Sequence, residues 1–266
     1  MNKKTSSKNT SLPVDFPLDP RKRAVVVGAS SGIGAAVARR LAAEGFIVAV
    51  LARREEKLTE LCAEINAAAG ETRAAAYRHD VTDFGSVAAT FQTILKDLKR
   101  IDTLVFVAGK QVHLETTEYD FEKDQKMIEI NLLGAMAWFT QAAALFDRMG
   151  EGQIVGISSV AADRGRVKNP GYNSSKAGMS TYLEGLRNRL TRRGVNVLTI
   201  TPGFVDTDEL KGSGMTFLVI PPEKAAADIW RAMKKRRQLV YTPWIWRYIM
   251  LVIRNIPSVI FRRLSI

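Results

Sequence analysis

Residues 25–34 read VVVGASSGIG, an apolar β-branched run that leads into three closely spaced glycines, Gly28, Gly32 and Gly34. The alanine-rich segment that follows has apolar residues at helical spacing. Small residues in a strand-to-helix turn let the backbone approach a phosphate, and the helix N-terminus offers free N–H groups to it. The stretch therefore predicts a pyrophosphate-binding turn, although glycine turns also serve tight packing.

The alternation of apolar runs and helical patterns continues along the chain. Apolar runs predict strands at 23–28, 46–51, 73–79, 102–107, 153–158 and 195–201, with a further short run at 238–241. Helical spacing predicts helices at 32–45, 54–69, 84–98, 119–149, 172–193 and 222–237. This alternation implies an α/β fold, a doubly wound parallel sheet of the Rossmann type. Ligands in such sheets bind beyond the carboxyl ends of the strands.

The length of 266 residues and a hydrophobic content of 46% allow one sizeable core. We expect a Rossmann-type domain at 21–240, a polar disordered arm at 1–20 and a basic amphipathic C-terminal segment at 241–266. The lone cysteine, Cys62, fits a reducing compartment such as the cytoplasm. His79 and His113 are the only histidines and no cluster has metal-ligand spacing, so no metal is expected. No uncharged apolar run is long enough to predict a membrane span.

Arginines follow the second predicted strand at the position that discriminates between NAD and NADP. An acidic residue there would hold the ribose 2′-hydroxyl of NAD, whereas this chain has Arg53 and Arg54 after Ala52. An arginine pairs with a 2′-phosphate through two charged hydrogen bonds, so we expect NADP (NADPH) in preference to NAD, with Arg53 as the main contact. Both arginines can instead lie on the solvated start of a helix. After the third strand, Asp80 and Val81 can contact adenine, or Asp80 can be a turn or cap residue before the next helix.

Four polar residues predict acid–base chemistry at the same edge of the sheet. Tyr172 and Lys176 are four residues apart, so they share one face of a helix. Ser159 ends the fifth predicted strand, and Asn131 lies within the long predicted helix. A neighbouring ammonium favours the phenolate and lowers the pKa of a tyrosine from its ordinary value of about 10. Single pairs of this kind are usually surface neighbours, and it is their joint occurrence after a glycine turn that indicates a site.

In such a site Tyr172 would act as general acid in carbonyl reduction and as general base in alcohol oxidation. Ser159 would hydrogen-bond the substrate oxygen and stabilise developing charge. Lys176 would also hold the nicotinamide ribose, and Asn131 would anchor a water that links Lys176 to solvent.

Together these motifs resemble the short-chain dehydrogenase/reductase family over about residues 23–238. The matching pieces are GASSGIG at 28–34, DVTD at 80–83, INLLGA at 130–135, ISS at 157–159, YNSSK at 172–176 and PGFVDT at 202–207. The resemblance implies a catalytic tetrad of Asn131, Ser159, Tyr172 and Lys176. The cofactor contacts that we predict are Gly28, Ser30, Ser31, Gly32, Ile33, Gly34, Arg53, Asp80, Val81, Ala108, Gly109, Tyr172, Lys176, Pro202, Gly203, Val205 and Thr207.

The chain departs from the family pattern after the fourth predicted strand. The family has Asn-Asn-Ala-Gly there, and this chain has Phe106, Val107, Ala108 and Gly109. Val107 cannot make the polar contacts of the family's asparagine, while Ala108 and Gly109 still permit close approach of the backbone. An NADP-binding, membrane-recruited sensor without catalysis is therefore the alternative to an enzyme.

The last 36 residues, 231–266, carry most of the positive charge. The formal net charge is +12, nine Lys and Arg residues follow residue 230, and no Asp or Glu follows Asp228. Trp244, Trp246 and Tyr248 are aromatics of the kind found at membrane interfaces. We predict a helix that lies on an anionic membrane surface. The alternatives are a helix buried between subunits or packed over the substrate site, and nucleic acid is not expected because nothing there resembles a reading module.

These features lead to one predicted function, an NADPH-dependent reductase of a hydrophobic or lipid-linked carbonyl compound. Arg164, Arg166 and Lys168, between Ser159 and Tyr172, can attract an anionic substrate or form a solvated loop. Residues 207–222 are expected to form an apolar substrate lid. Family resemblance implies a homodimer or homotetramer. The single cysteine and the C-terminal segment lead us to expect a cytoplasmic protein that touches the inner face of a membrane.

Overall fold

The computed structural model describes residues 16, 20–208, 210 and 216–264. Seven parallel strands form one sheet in the order β3-β2-β1-β4-β5-β6-β7. The strands are β1 (Arg23–Val27), β2 (Ile47–Ala52), β3 (Ala74–Arg78), β4 (Thr103–Phe106), β5 (Gly152–Ile157), β6 (Val195–Pro202) and β7 (Leu239–Thr242). The strand order reverses between β1 and β4, and ligands of doubly wound sheets bind at such a switch point. The predicted Rossmann-type α/β fold is confirmed.

Helices cover both faces of the sheet. They are α1 (Gly32–Ala43), α2 (Glu55–Ala69), α3 (Val87–Leu98), α4 (Phe121–Ile128), α5 (Gly134–Met149), α6 (Pro170–Leu190), α7 (Pro222–Lys234), α8 (Trp246–Asn255) and α9 (Ser258–Phe261). Most ends lie within two or three residues of the predicted ones. Short 3₁₀ turns precede α3, follow Ser159 and continue α6.

The period-two alternation of β1 distributes its side chains between two hydrophobic cores. Val25 and Val27 pack with residues of α3, α5 and α6 on one face. Ala24 and Val26 pack with residues of α1, α2 and α7 on the other. Because both faces are covered, all five β1 residues are buried, as a central parallel strand requires.

The single helix predicted at 119–149 is interrupted. A π-helical turn, Glu129–Leu133, separates α4 from α5 and contains Asn131. Such turns frequently occur at functional sites. By length and composition alone, Phe121–Met149 would suit a membrane span, but Trp138, Phe139 and Phe146 are fully buried in the core, so we assign it to the core.

The described parts of both chain ends pack on this domain, Phe16 in its core and α8 on its surface. Most of the arm predicted at 1–20 lies outside the described residues, and Phe16 within it is buried in the core. At the other end, β7 continues to Thr242, so the boundary predicted at residue 240 falls inside a strand. Helices α8 and α9 follow directly, and α8 packs on the domain through Trp246 and Met250.

Candidate active site

The glycine turn joins β1 to α1 at the switch point of the sheet. Gly28 has a φ of +93°, and a Cβ atom there would lie 2.4 Å from the backbone nitrogen of Ala108, so only glycine fits. A Cβ on Gly34 would lie 2.1 Å from the carbonyl oxygen of Gly28. Ser31 is the N-cap residue of α1 and makes no side-chain capping bond. The tight turn and the N-terminal N–H groups of α1 fit a dinucleotide pyrophosphate.

Arg54 lies on this turn. Its guanidinium donates to Ser30 Oγ at 2.9 Å and to Ser31 Oγ at 2.7 Å. Arg53, which the sequence favours, lies beside the turn with its Nη1 3.8 Å from Asp80 Oδ2, and its side chain is 61% exposed. Both arginines therefore border the end of β2, where the 2′-phosphate of NADP is expected.

Asp80 serves as a turn residue, the role that the sequence left open. Its Oδ1 accepts from the backbone N–H and the hydroxyl of Thr82, at 3.0 and 2.8 Å. Burial opposes ionisation of this carboxyl, but the hydrogen bonds from Thr82 and the charge of Arg53 outweigh it and lower the pKa of Asp80. Val81 packs against the start of α5, since a Cβ on Gly134 would lie 2.8 Å from the Val81 carbonyl oxygen.

The two serines after β5 have separate roles. Ser158 is buried, and its Oγ bonds the carbonyl oxygen of Lys176 at 3.1 Å and Ser180 Oγ at 2.7 Å, which ties β5 to α6. Ser159 is only partly buried, and its Oγ accepts from the Ala161 N–H at 3.1 Å. Ser159 is therefore the serine placed to meet a ligand.

Helix α6 carries Tyr172 and Lys176 on one face, as predicted. The ammonium of Lys176 is buried, donates to the carbonyl oxygen of Ile157 at 2.9 Å and lies 5.9 Å from the centroid of the Tyr172 ring. A Cβ on Gly109 would lie 3.2 Å from Lys176 Nζ, so the backbone after β4 passes alongside this ammonium. The ends of β4 and β5 thus hold Lys176 beneath Tyr172.

Asn131 is fully buried and anchors the same assembly. Its Oδ1 accepts from the Lys110 N–H at 2.7 Å, and its Nδ2 donates to the Lys110 carbonyl at 2.9 Å and to Ser175 Oγ at 3.0 Å. Ser175 donates in turn to the Tyr172 carbonyl oxygen at 2.7 Å. The π turn thereby brings Asn131 into the hydrogen-bonded frame of α6. Nothing in the sequence pattern identified Ser175 as the link.

At the departure from the family pattern, main-chain hydrogen bonds join the end of β4 to β1. The N–H groups of Val107 and Ala108 both donate to the Val27 carbonyl oxygen, at 2.8 and 3.0 Å. The Val107 side chain packs against the core cluster beneath α1 and α2. The strand end is therefore held by main-chain bonds and apolar packing.

The PGFVDT segment reaches the site from β6. A Cβ on Gly32 would lie 2.9 Å from Thr207 Cγ2, so this segment touches the glycine turn. Val205 pairs with Ile220 in an isolated bridge. A Cβ on Gly203 would lie 1.8 Å from the indole nitrogen of Trp246, which places the C-terminal helix directly on this loop. The tip of the predicted lid, including Gly212, Gly214 and Met215, lies outside the described residues.

Helix α8 forms part of the wall of the site. Trp246 and Met250 are buried against Val160, which follows Ser159, and against Phe204 and Leu218. The Trp246 ring meets Phe204 edge to face with centroids 5.5 Å apart. One of the three placements left open by the sequence, a helix packed over the substrate site, thus describes the inner face of α8.

Arg164 holds this helix in place. Its Nη1 donates to the carbonyl oxygens of Ile253 and Ile256 at 2.6 Å each, and its guanidinium lies 3.8 Å from the ring centroid of Phe261. Arg164 therefore caps the C-terminus of α8, and its guanidinium is engaged there rather than with a substrate. Arg164 and Ile253 are 89 residues apart in the sequence, so local sequence patterns could not predict this contact.

No group of three or more potential metal ligands occurs within the part of the chain that the structure describes. The chemistry available is that of the phenol, the ammonium, the serine hydroxyl and a dinucleotide on the glycine turn. Such a set can pass a proton to or from an oxygen held between Ser159 and Tyr172.

Comparisons with known proteins agree with this geometry. A family model described as short chain dehydrogenase matches residues 22–215. An uncharacterized oxidoreductase of Mycobacterium tuberculosis is 30% identical over 234 residues, which make up 87% of this chain and 92% of that protein. A variant of actinorhodin polyketide ketoreductase, solved with NADPH, is 27% identical with a TM-score of 0.72, over 79% of this chain and 89% of that chain. An alcohol dehydrogenase from the archaeon Thermococcus sibiricus, complexed with 5-hydroxy-NADP, is 26% identical with a TM-score of 0.74, over 83% and 95% of the two chains.

Proposed function

Because the chain belongs to the short-chain dehydrogenase/reductase family and is an NAD(P)-dependent oxidoreductase, we propose that it uses NADPH to reduce the carbonyl group of a hydrophobic or lipid-linked substrate at a membrane surface. The observation that carries the proposal is the hydrogen-bonded frame that joins Asn131 through Ser175 to the Tyr172 turn of α6 and ties Lys176 to the end of β5, which Ser159 follows. The actinorhodin relative is named a ketoreductase, which supports the direction of the reaction.

The residues divide the reaction between them. Ser159 hydrogen-bonds the carbonyl oxygen and stabilises the charge that develops on it. Tyr172 then donates its phenolic proton to that oxygen. NADPH held at the glycine turn would supply the hydride to the carbon. Lys176 lies beneath the phenol ring and stabilises the phenolate left behind, and the frame through Ser175 and Asn131 keeps the helix turn in position. In the reverse direction the same phenolate accepts the proton of an alcohol.

The preference for NADPH is supported by Arg53 and Arg54. Arg54 is already oriented toward the turn by Ser30 and Ser31, and Arg53 lies exposed beside it. Two guanidiniums at this edge favour a 2′-phosphate over a neutral hydroxyl.

Replacing Arg53 and Arg54 by glutamine is expected to lower kcat/KM for NADPH, relative to NADH, by about 10–100-fold in the double variant. A charged hydrogen bond contributes about 1.5–3 kcal/mol, and each 1.4 kcal/mol corresponds to about a tenfold change. Steady-state kinetics with both cofactors measure the ratio. Arg39→Gln is the matched control, because Arg39 pairs with Glu64 on the outer surface of α1 and α2. A ratio unchanged in the double variant would refute the assignment.

Membrane contact is supported by the outer face of the C-terminal helices. The inner face of α8 is buried, but Trp244, Tyr248, Leu251 and Val252 are 57–70% exposed, and Val259 and Ile260 continue the apolar surface. Arg247, Arg262 and Arg263 are exposed on the same segment. Apolar and aromatic side chains flanked by arginines match an anionic bilayer surface. Trp246 lies on the opposite face of α8, against the proposed substrate site. Binding of the outer face to a membrane would therefore place the entrance of that site next to lipid.

Replacing Leu251 and Val252 together by glutamate is expected to reduce flotation with vesicles that contain phosphatidylglycerol by at least about tenfold. Full burial of one such side chain contributes about 1.5–3 kcal/mol, and a carboxylate adds repulsion. Phe121→Glu is the control, since Phe121 is 77% exposed but lies on α4. Deleting 241–266 would be a poorer test, because it would uncover the core around Trp246 and Met250. Equal flotation of the double variant and the wild type would show that this surface does not bind the membrane.

The reductase itself is tested by the loss of NADPH absorbance with a long-chain and a short-chain methyl ketone. We expect kcat/KM to be at least about tenfold higher for the long chain, since each buried CH₂ contributes about 0.8 kcal/mol. No preference would argue against a hydrophobic substrate. NADPH binding without turnover of any carbonyl compound would favour the sensor instead. On family resemblance we also propose that the protein forms a homodimer or homotetramer. We further propose that it is located in the cytoplasm.

A further inference from the structure

Arg166 is a partly buried cation in the loop that joins Ser159 to Tyr172. Its Nε is covered by protein and has no hydrogen-bond partner. Burial lowers the pKa of this guanidinium against the opposing influence of Asp163 and Tyr172, but an arginine stays protonated at physiological pH. A desolvated charge is stable only with a partner, so the surroundings of Arg166 decide what it does.

Asp163, the carboxyl whose charge acts on Arg166, is already engaged. Asp163 accepts a hydrogen bond from the hydroxyl of Tyr241 at 2.8 Å. Burial raises the pKa of Asp163, against the effects of Tyr241, Arg254 and Arg166. The charges of Arg166, from the loop, and Arg254, from α8, thus both act on a carboxyl whose Oδ2 already accepts from Tyr241. The two arginines outnumber this carboxyl, which leaves positive charge available to an anion.

The other cations of the loop do not compete for the same role. Arg164 is committed to the carbonyl oxygens at the end of α8. Lys168 is exposed on the outer part of the loop. Arg166 is the cation of this loop whose Nε is covered and unpartnered, and it lies on the segment that leads into α6 and Tyr172.

We propose that Arg166, assisted by Arg254, forms a subsite for a carboxylate or phosphate group of the substrate, next to the carbonyl that Tyr172 protonates. This deepens the proposed function, on which it rests. The substrate would then be an amphiphile whose anionic group lies a few bonds from the reacting carbonyl and whose chain lies along the apolar wall of α8.

The test compares 4-oxododecanoate with its methyl ester, at submicellar concentration, in the wild type and in Arg166→Gln. The two probes differ in charge and share the chain. We expect the ratio of kcat/KM for the acid to that for the ester to fall by at least about tenfold in Arg166→Gln, as the loss of a charged hydrogen bond requires. Lys168→Gln, which removes an equal charge from the same loop, should change this ratio by no more than about twofold.

A comparable loss in Lys168→Gln would indicate general attraction by the loop and would overturn a defined subsite. An unchanged ratio in Arg166→Gln would overturn it as well. Dodecyl phosphate and dodecanoate are then compared as competitive inhibitors. If dodecyl phosphate inhibits the wild type more strongly than dodecanoate does, and this difference is lost in Arg166→Gln, the subsite prefers a phosphate group.

Calorimetry with the Tyr172→Phe variant in the presence of NADPH measures binding of the probe to the subsite independently of its reduction. We expect 4-oxododecanoate to bind this variant about tenfold more tightly than it binds Tyr172→Phe combined with Arg166→Gln. Binding that depends on Arg166 without NADPH oxidation by the wild type would keep the subsite while the proposed reductase fails. Equal or unmeasurable affinities in both variants would overturn the subsite even if the wild type reduces ketones.

Discussion

Replacing Tyr172 by phenylalanine is expected to lower kcat for ketone reduction by about 10²–10⁴-fold, the range typical for loss of a general acid. The substitution removes one hydroxyl and leaves the ring, so the packing of α6 and the contact with Lys176 Nζ, 5.9 Å from the ring centroid, should persist. NADPH affinity should change by less than about threefold, because the cofactor contacts on the glycine turn are untouched. Single-turnover reduction and NADPH fluorescence titration measure the two quantities separately.

Tyr182→Phe is the matched control for this substitution. Tyr182 lies on the same helix, and its hydroxyl bonds Thr140 Oγ1 at 3.1 Å, away from the frame around Lys176. We expect its kcat to stay within about twofold of the wild type, since a side-chain hydrogen bond of this kind contributes about 1 kcal/mol to stability. Similar losses in both variants would point to a helix-wide packing effect and would contradict the role of the Tyr172 proton.

Gly28→Ala is expected to destabilise the fold and to abolish measurable NADPH binding. A methyl group at this position meets the Ala108 backbone at 2.4 and 2.6 Å, and φ is +93°. Positive φ costs a non-glycine residue about 1–2 kcal/mol, and overpacking typically adds about 1–3 kcal/mol. The atoms approached are main-chain atoms, so Ala108→Gly should not restore stability. Urea unfolding with and without NADPH measures both losses.

The control for this clash is Gly70→Ala. Gly70 also has positive φ, +68°, at the C-cap of α2, but a Cβ there would meet nothing within 4 Å. Only the conformational cost of about 1–2 kcal/mol should appear, and NADPH binding should be retained. If Gly70→Ala and Gly28→Ala lost equal stability and affinity, the close approach of β4 to the turn would not be the cause.

The sequence was sufficient for features encoded over short distances along the chain. The β-branched run before Gly28 and the helical spacing after it predicted strand, turn and helix, since periodicity alone distinguishes these elements. The four-residue spacing put Tyr172 and Lys176 on one helix face, because 3.6 residues make a turn. The family motifs added Ser159 and Asn131. In the structure Lys176 donates to the Ile157 carbonyl at the end of β5, and Asn131 bonds Ser175 of the same helix.

Local patterns could not place contacts between distant segments. Whether Arg53 or Arg54 reached the turn depended on the exact end of β2, which propensity does not resolve. The π turn at Asn131 was hidden because its residues suit an ordinary helix as well.

The C-terminal segment shows the same limit most clearly. Its sequence indicated an amphipathic helix with aromatic and basic residues, and it allowed three placements. Only the tertiary structure decided that Trp246 packs on Gly203 and that Arg164 caps the end of α8, across 89 residues of chain. The apolar face of an amphipathic helix indicates that this face will be buried. Which part of the protein buries it depends on the tertiary structure of the whole domain.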